Sequence, residues 1–277
     1  FAEEKPGLVY CSISAYGQSG PRAGEGGFDL TIQAASGVMS VTGEEGGAPV
    51  KCGVPVSDFA SGLYAAFSIA SLLAHVRNGG AGAHIDVPMF GCTLGIAALQ
   101  TSEFFGTGRN PVKLGSAHPR NAPYQAYQAS DGYFAIAAGN QKLWLSVCGA
   151  VGLPELADDL RFQTTSDRAA HQRELKALLE TKFRQETVDH WIATFNAVGV
   201  PHARINDYAS ALADPQVAHM EWLQSIALPG GHMTQTFASP LRLNGQGFPI
   251  HLNPPALGEH TDEIKRRHAG RTEKELP

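Results

Sequence analysis

Residues 54–76 read VPVSDFASGLYAAFSIASLLAHV, an almost wholly apolar run in which Asp58 is the single acidic residue. The run is long enough for a helix that crosses a bilayer, but it also contains several serines, a glycine and His75. A strand-like segment follows it at once. We therefore predict a buried core helix over 58–76, and we expect no membrane partner.

Strand-like segments lie on both sides of this helix along the chain. PGLVYCSIS (6–14) has the near-continuous apolar character of a strand that is covered on both faces, and AHIDVPMF (83–90) is a second strand candidate. Predicted helices over 30–42 and 91–105 complete an alternation of strands and helices. This alternation predicts an α/β fold with a parallel sheet.

The amino-acid composition changes over 106–123, where glycine, proline and asparagine are frequent. We interpret this segment as the exit from a first domain. Beyond it the sequence predicts a strand over 132–139, followed by helices over 141–151, 166–184, 187–198 and 207–220. Ser166 is the predicted N-cap of the second of these helices. The region 141–225 is therefore predicted to form a smaller, helix-rich domain.

Composition and motifs argue against several classes of function. The 277 residues carry a formal charge of −5 that is spread along the chain, with no basic stripe of the kind that binds nucleic acid. The four cysteines lie far apart, and no HExxH motif or tight His/Asp cluster occurs, so we predict no metal site. No P-loop, GxGxxG fingerprint or GxSxG elbow is present. The cysteine usage suits a reducing compartment, and we expect the cytoplasm.

Asp58 has two compatible interpretations. Spacing alone favours an N-cap, in which the carboxylate accepts free N–H groups of the first helical turn and adds about 1 kcal/mol of stability. An ionised carboxylate at a helix N-terminus can also attack an activated acyl group and form a mixed anhydride. Pro55 fixes the approach to the helix, and Gly62 leaves backbone that a substrate can reach closely. The residues by themselves leave both readings open.

The segment LGSAHP (114–119) is the second candidate. It is either a plain turn between domains or a flexible loop over the site. In the second reading, its backbone N–H groups or the ring of His118 cover a reacting acyl group and exclude water. The sequence alone favours the turn.

Several segments resemble the family III CoA-transferases, which also include α-methylacyl-CoA racemases and carnitine–CoA transferases. The matching pieces occur in family order and span almost the whole chain: GLVYCSISAYGQSGP, GGFDLTIQAASGVMSVTG, APVKCGVPVSDFASGLYAA, GSAHPRNAPYQAYQASDGYFAIAAGN, GVPHARIND, DPQV and PPALGEHTDEI. They are most similar to succinyl-CoA:dicarboxylate CoA-transferases. The resemblance implies a partial Rossmann-like large domain over 1–112, a linker and small helix-rich α/β domain over 113–228, and a return to the large domain over 229–277.

The resemblance also implies the site and its chemistry. Asp58 matches the family's nucleophilic aspartate, which forms an aspartyl anhydride and then an aspartyl–CoA thioester while coenzyme A passes from an acyl-CoA to a carboxylic acid. Two further groups carry over, a substrate loop and a CoA-contacting stretch: Gly115, Ser116, Ala117 and His118 for the loop, and Gly26, Gly27, Phe28 and Asp29 for the stretch. Coenzyme A is then a co-substrate, no cofactor is bound permanently, and the chain is expected to form an interlocked homodimer.

Two departures from the family pattern leave alternatives. Racemases carry a catalytic histidine where this chain has Phe28, and a phenyl ring cannot exchange a proton. A 2-methylacyl-CoA racemase or epimerase is therefore the weaker alternative. Family members also have about a hundred further residues, the size of a small domain, before the position of Phe1. We expect that region to be missing here, which leaves a non-catalytic truncated protein as a further alternative.

Overall fold

The structure is a computed structural model that describes residues 3–269. The chain divides into two compact units, Phe1–Arg204 and Ile205–Pro277, and each is described by itself. The domain boundaries implied by the family resemblance, at 112 and 228, remain a proposal.

The first part of unit one, residues 10–107, contains two parallel strands and five helices. In chain order its elements are β1 (Tyr10–Ser14), α1 (Asp29–Ala35), α2 (Val38–Val41), α3 (Val56–Arg77), β2 (His84–Pro88), α4 (Met89–Ile96) and α5 (Ala98–Thr107). Strands β1 and β2 pair in parallel, with Tyr10 opposite His84 and Ser14 opposite Pro88. The predicted α/β class and the parallel pairing are confirmed for these strands. Within residues 3–269 their sheet has two strands.

Two helices that the sequence predicts as continuous are each divided in the structure. The helix predicted over 30–42 is split into α1 and α2 because Gly37 adopts a φ of 85°, in the left-handed region that favours glycine. The helix predicted over 91–105 is split at Ala97, which ends α4 and precedes α5. Both regions still fold as helices, so the prediction of helix is confirmed, but the prediction that each helix is continuous is wrong.

Helix α3 is less buried than predicted. The buried side chains along it are small, and they are Ser57, Ala60, Ser61 and Ala65. Two of these, both alanines, pack with Val87 and Cys92, while Phe59, Leu63 and Phe67 are 65%, 70% and 74% exposed. The prediction of a buried core helix is therefore wrong for the described chain, because its large apolar side chains lie off the packed face. By length and composition alone α3 could cross a membrane, which is weak evidence because core helices pass the same test.

The second part of unit one is an antiparallel sheet packed with helices. Its elements are β3 (Tyr124–Gln128), β4 (Tyr133–Ala137), α6 (Gln141–Ala150), a 3-10 helix (Pro154–Ala157), α7 (Thr165–Ala170), α8 (Gln172–Phe183), α9 (Val188–Ala197) and β5 (His202–Arg204). The strand order is β3–β4–β5, with antiparallel pairing throughout. The predicted strand over 132–139 and the predicted helices are present, whereas β3 and β5 were not predicted.

The core of this part is aromatic. The ring centroid of Phe183 lies 5.0 Å from the centroids of Tyr127, Phe134 and Trp191. Phe195 is also fully buried in this cluster. Helices α8 and α9 therefore turn Phe183, Trp191 and Phe195 inward, where the helices pack against strands β3 and β4.

The helix predicted over 166–184 begins earlier and is divided. Thr164, not Ser166, is the N-cap: its hydroxyl accepts from the N–H of Asp167, and the Asp167 carboxylate accepts from the N–H of Thr164. This reciprocal pair is a capping box. The predicted helix then divides at His171 into α7 and α8.

Unit two consists of short helices and hairpins. Its elements are α10 (Tyr208–Leu212), α11 (Pro215–His219), β6 (Leu223–Ala227), β7 (Met233–Phe237), β8 (Arg242–Leu243), β9 (Gln246–Gly247) and α12 (Thr261–His268). The single helix predicted over 207–220 is two helices. Pro215 begins the second one, and Asp214 caps it by accepting from the N–H of Gln216. Proline suits the first position of a helix and disfavours helical backbone in the residue before it, so the chain breaks here.

Candidate active site

Asp58 is the third residue of α3, and its side chain is exposed. It lines an open depression of about 360 Å³ together with Pro55, Phe59, Gly62 and Leu63. Within residues 3–269 its carboxylate makes no hydrogen bond or ion pair with another side chain or with the backbone. An unpartnered carboxylate in the first turn of a helix is free to act on a molecule that enters the depression.

The hydrogen bond that caps α3 comes from Asp29, at the start of another helix. Asp29 Oδ1 accepts a 3.0 Å hydrogen bond from the backbone N–H of Ser57, the second residue of α3. Pro55 occupies the N-cap position and makes no side-chain capping bond. The interpretation of Asp58 as the N-cap is therefore wrong, because the capping is done from α1.

Gln33 extends this link from α1 to the segment before Asp58. Its Nε2 donates to Asp29 Oδ2 at 2.8 Å, and its Oε1 accepts from the backbone N–H of Cys52 at 2.9 Å. The side chain of Gln33 is completely buried. Gln33 was not among the predicted site residues, although its spacing of four residues from Asp29 places both on one face of α1.

The four residues expected to contact CoA lie in different environments. Gly26 borders open space, and Phe28 is 83% exposed. A Cβ atom on Gly27 would lie 2.8 Å from the Cβ of Ala15, so Gly27 allows a close approach between this loop and the end of β1. Both carboxylate oxygens of Asp29 are engaged, Oδ1 with the N–H of Ser57 in α3 and Oδ2 with Gln33 of its own helix. Of the four, Gly26 and Phe28 are thus accessible to a ligand.

The loop 115–118 needs its glycine. Gly115 has a φ of 60°, and its N–H donates to the carbonyl of Gly43 at 3.0 Å. A Cβ atom at this position would lie 2.9 Å from a carboxylate oxygen of Glu44. Ala117 closes a turn by donating to the carbonyl of Leu114 at 3.0 Å. The backbone of the loop is therefore tied to the segment that follows α2.

The other two loop residues are tied to β3. Ser116 Oγ accepts a 3.0 Å hydrogen bond from the N–H of Ala126. The N–H of His118 donates to the carbonyl of Tyr124 at 3.0 Å, and His118 Nδ1 accepts from the N–H of Arg120 at 3.1 Å. This leaves Nε2 as the ring nitrogen that can face a ligand.

The structure does not bring Asp58 and the loop 115–118 together. Gly115 and Ala117 line a cavity of about 80 Å³ that has no lining residue in common with the depression at Asp58. Across the described residues, no hydrogen bond joins Asp58 to the loop. Asp29, in contrast, is bonded directly to the residue before Asp58.

The two buried cysteines are poor alternative nucleophiles. Burial raises the pKa of the Cys92 thiol, although a hydrogen bond with Ser61 opposes the shift. Burial also raises the pKa of Cys148 to about 12. A thiol attacks as its thiolate, so both groups are protonated and unreactive near neutral pH.

Comparison with known proteins gives the same family from sequence and from structure. The sequence profile of CoA-transferase family III matches residues 1–261. A succinate–glutarate CoA-transferase of Agrobacterium fabrum is 32% identical, and the alignment covers 94% of this chain and 65% of that protein. An acetyl-CoA:oxalate CoA-transferase of Acetobacter aceti is 35% identical, with 97% of this chain and 68% of that protein covered. The chain thus spans less than two thirds of the length of the first relative.

The solved structures agree with the sequence relatives. A CaiB/BaiF family protein from Brucella suis superposes with a TM-score of 0.78 at 37% identity, covering 95% of this chain and 68% of that structure. The aligned region therefore includes residues of both units. With the family profile matched over 1–261, this chain belongs to CoA-transferase family III.

Proposed function

We propose that this chain transfers coenzyme A from an acyl-CoA thioester to a free carboxylic acid, with Asp58 as the nucleophile. The observation that carries the proposal is the carboxylate of Asp58, which is exposed at the start of α3 and has no protein partner within residues 3–269. The capping bond from Asp29 leaves that carboxylate free. Membership of the family supports the class of reaction.

In the first half-reaction, the Asp58 carboxylate attacks the carbonyl carbon of the donor thioester. The C–S bond breaks, coenzyme A leaves as its thiolate, and a mixed anhydride joins Asp58 to the donor acyl group. The thiolate then attacks the Asp58 carbonyl of this anhydride. The donor acid leaves as a carboxylate, and Asp58 is left as a thioester with coenzyme A.

In the second half-reaction, the acceptor carboxylate attacks the Asp58 thioester and expels the thiolate. The new anhydride joins Asp58 to the acceptor, and the thiolate attacks the acceptor carbonyl to release acceptor-CoA and the Asp58 carboxylate. Each step passes through an oxyanion that backbone N–H donors must stabilise. We assign to the loop 115–118 the covering of the substrate, since the N–H groups of Gly115, Ala117 and His118 are already bonded within the protein. The sequence of steps balances without a metal or a permanently bound cofactor, with coenzyme A as the co-substrate.

The acceptor is proposed to be a dicarboxylate. The two relatives described above are named for glutarate, succinate and oxalate, all of which are dicarboxylates. We also propose contact of residues 26–28 with CoA, assembly as an interlocked homodimer of Rossmann-like large domains, and location in the cytoplasm.

A trapping experiment with a panel of acids tests this function. The protein is incubated with succinyl-CoA and then with hydroxylamine, which should convert the Asp58 thioester to a hydroxamate that peptide mapping locates. With glutarate, malate or oxalate as acceptor, the corresponding CoA thioester should form, because a dicarboxylate is the proposed acceptor. Modification of a residue other than Asp58 would contradict the proposed nucleophile. Transfer to monocarboxylates alone would contradict the acceptor class.

Proton exchange distinguishes transfer from racemisation. We expect a 2-methylacyl-CoA incubated with the protein in deuterium oxide, without an acceptor acid, to keep its α-proton, because the phenyl ring of Phe28 cannot act as a base. Deuterium content is measured by mass spectrometry against the same thioester incubated without protein. Enzyme-dependent exchange at the α-carbon would favour the racemase alternative over transfer.

A further inference from the structure

We infer that Asp29 is a positioning residue for Asp58, acting together with Gln33. The inference rests on the proposed function, since it concerns the placement of the proposed nucleophile. It gives Asp29 a role in holding α3 rather than the contact with CoA that the family resemblance implies.

The geometry consists of three hydrogen bonds that lead from α1 to the segment 52–57. Asp29 Oδ1 accepts from the N–H of Ser57 at 3.0 Å, Asp29 Oδ2 accepts from Gln33 Nε2 at 2.8 Å, and Gln33 Oε1 accepts from the N–H of Cys52 at 2.9 Å. The two backbone N–H groups lie on either side of Pro55. We call this set of three bonds the α1 clamp. It fixes the chain both before and after the turn that opens α3.

The chemistry of the α1 clamp requires a carboxylate at position 29. A carboxylate only accepts, so Gln33 must turn its NH₂ group toward Asp29 and its oxygen toward the N–H of Cys52. With asparagine at position 29, one acceptor oxygen remains. Either that amide or Gln33 must then place a donor against a donor. Because Gln33 is completely buried, water cannot easily replace the lost partner.

Asp58 is one residue beyond the bonded N–H of Ser57, in the same helical turn. Loss of the bond frees the second N–H of α3 and lets the first turn fray, so the Asp58 carboxylate samples more positions. A displacement of about 1 Å can lower the rate of a positioned reaction by about 100-fold. We place the proposed contacts with coenzyme A at residues 26–28, outside this turn, so we expect an effect on the rate rather than on affinity.

The variants Asp29→Asn and Gln33→Met test the α1 clamp, and Asp131→Asn serves as the matched control. Asp131 also uses a carboxylate oxygen to accept from a first-turn N–H, that of Val188 in α9, at 2.8 Å. Within residues 3–269 it has no hydrogen bond to the segment 52–58. The probe is succinyl-CoA, and the measured quantities are the rate of adduct formation at Asp58 and the concentration that gives half of the maximal rate.

We expect Asp29→Asn and Gln33→Met each to lower the maximal rate of adduct formation by at least about tenfold. The half-saturating concentration should change by less than about twofold, and the double variant should be little worse than either single one. Amide hydrogen exchange should accelerate in the peptide that contains residues 52–57. Asp131→Asn should leave both the adduct rate and this exchange unchanged, although it makes the same change from carboxylate to amide beside a first-turn N–H.

The outcomes separate this inference from the proposed function. A wild-type chain that forms no adduct at Asp58 overturns both. A wild-type adduct with an unchanged maximal rate in Asp29→Asn overturns the positioning role alone. A change confined to the half-saturating concentration also overturns it, because that result assigns Asp29 to the binding of coenzyme A. Should Asp29→Asn fail to fold, Gln33→Met carries the same comparison.

Discussion

Asp58→Asn is expected to abolish the transfer of coenzyme A while the chain stays folded. The substitution keeps the size of the side chain but removes the carboxylate that we propose as the nucleophile, so neither the anhydride nor the thioester should form. We expect the turnover number to fall by at least about a thousandfold, in line with the removal of nucleophiles elsewhere. The free energy of unfolding should fall by about 0.3–1 kcal/mol, because the charge interacts with the N-terminus of α3. Turnover is measured with succinyl-CoA, and stability by urea unfolding.

Asp167→Asn is the matched control for this change. Asp167 is also the third residue of its helix, α7, but it takes part in a capping box with Thr164. Its replacement should cost a similar or larger amount of stability and leave turnover unchanged. An active Asp58→Asn protein, with deamidation back to aspartate excluded by mass spectrometry, would rule out Asp58 as the nucleophile.

Arg168→Leu is expected to cause a large loss of stability. Arg168 is completely buried, and its guanidinium donates to the carbonyl of Ala122 at 2.8 Å and to the carbonyl of Phe162 and Gln141 Oε1, both at 2.9 Å. Leucine leaves the buried carbonyls of Ala122 and Phe162 without a donor, at a cost of about 1–3 kcal/mol for each unsatisfied group. We expect the free energy of unfolding to fall by about 3–5 kcal/mol. Urea unfolding followed by tryptophan fluorescence measures the change.

Arg161→Leu provides the comparison for Arg168. Arg161 is 46% exposed and forms ion pairs with Asp159 and Glu174 on the surface. Exposed ion pairs contribute about 0–1 kcal/mol, so this variant should remain close to the wild type in stability. Equal losses for the two arginine variants would show that burial and the bonded carbonyls of Ala122 and Phe162 do not set the role of Arg168.

The sequence was sufficient to locate the helix that carries Asp58. The prediction over 58–76 compares with α3 at Val56–Arg77, because a long apolar run bounded by Pro55 and by charged residues is a strong helix signal. Strand β3 (YQAYQ) was missed, since its two glutamines interrupt the apolar run that its partner β4 (YFAIA) shows. Segment 124–128 is a strand because it pairs with β4, and this pairing cannot be read from the local sequence pattern.

The candidate site likewise has features that the sequence predicted and features that it did not. The position of Asp58 in the first turn of α3 followed from a local pattern, but its freedom from capping did not. That freedom depends on a bond between Asp29 and Ser57, which are 28 positions apart. The exposure of Phe59, Leu63 and Phe67 was also outside the reach of the sequence. A hydrophobic count cannot show which face of α3 meets α4 and β2.

The α1 clamp has a consequence for how this protein could diverge. Residues 44–51 are exposed and connect two fixed points, Gly43 at the loop 115–118 and Cys52 at the clamp. Because each end is held by its own hydrogen bond, we expect a residue gained or lost between them to leave Asp58 in place, while the bonds from Lys113 to the carbonyls of Gly47 and Ala48 rearrange. The proposed nucleophile and the proposed substrate loop can therefore change independently of each other. Descendants of one ancestral protein could keep Asp58 in place while the loop changes.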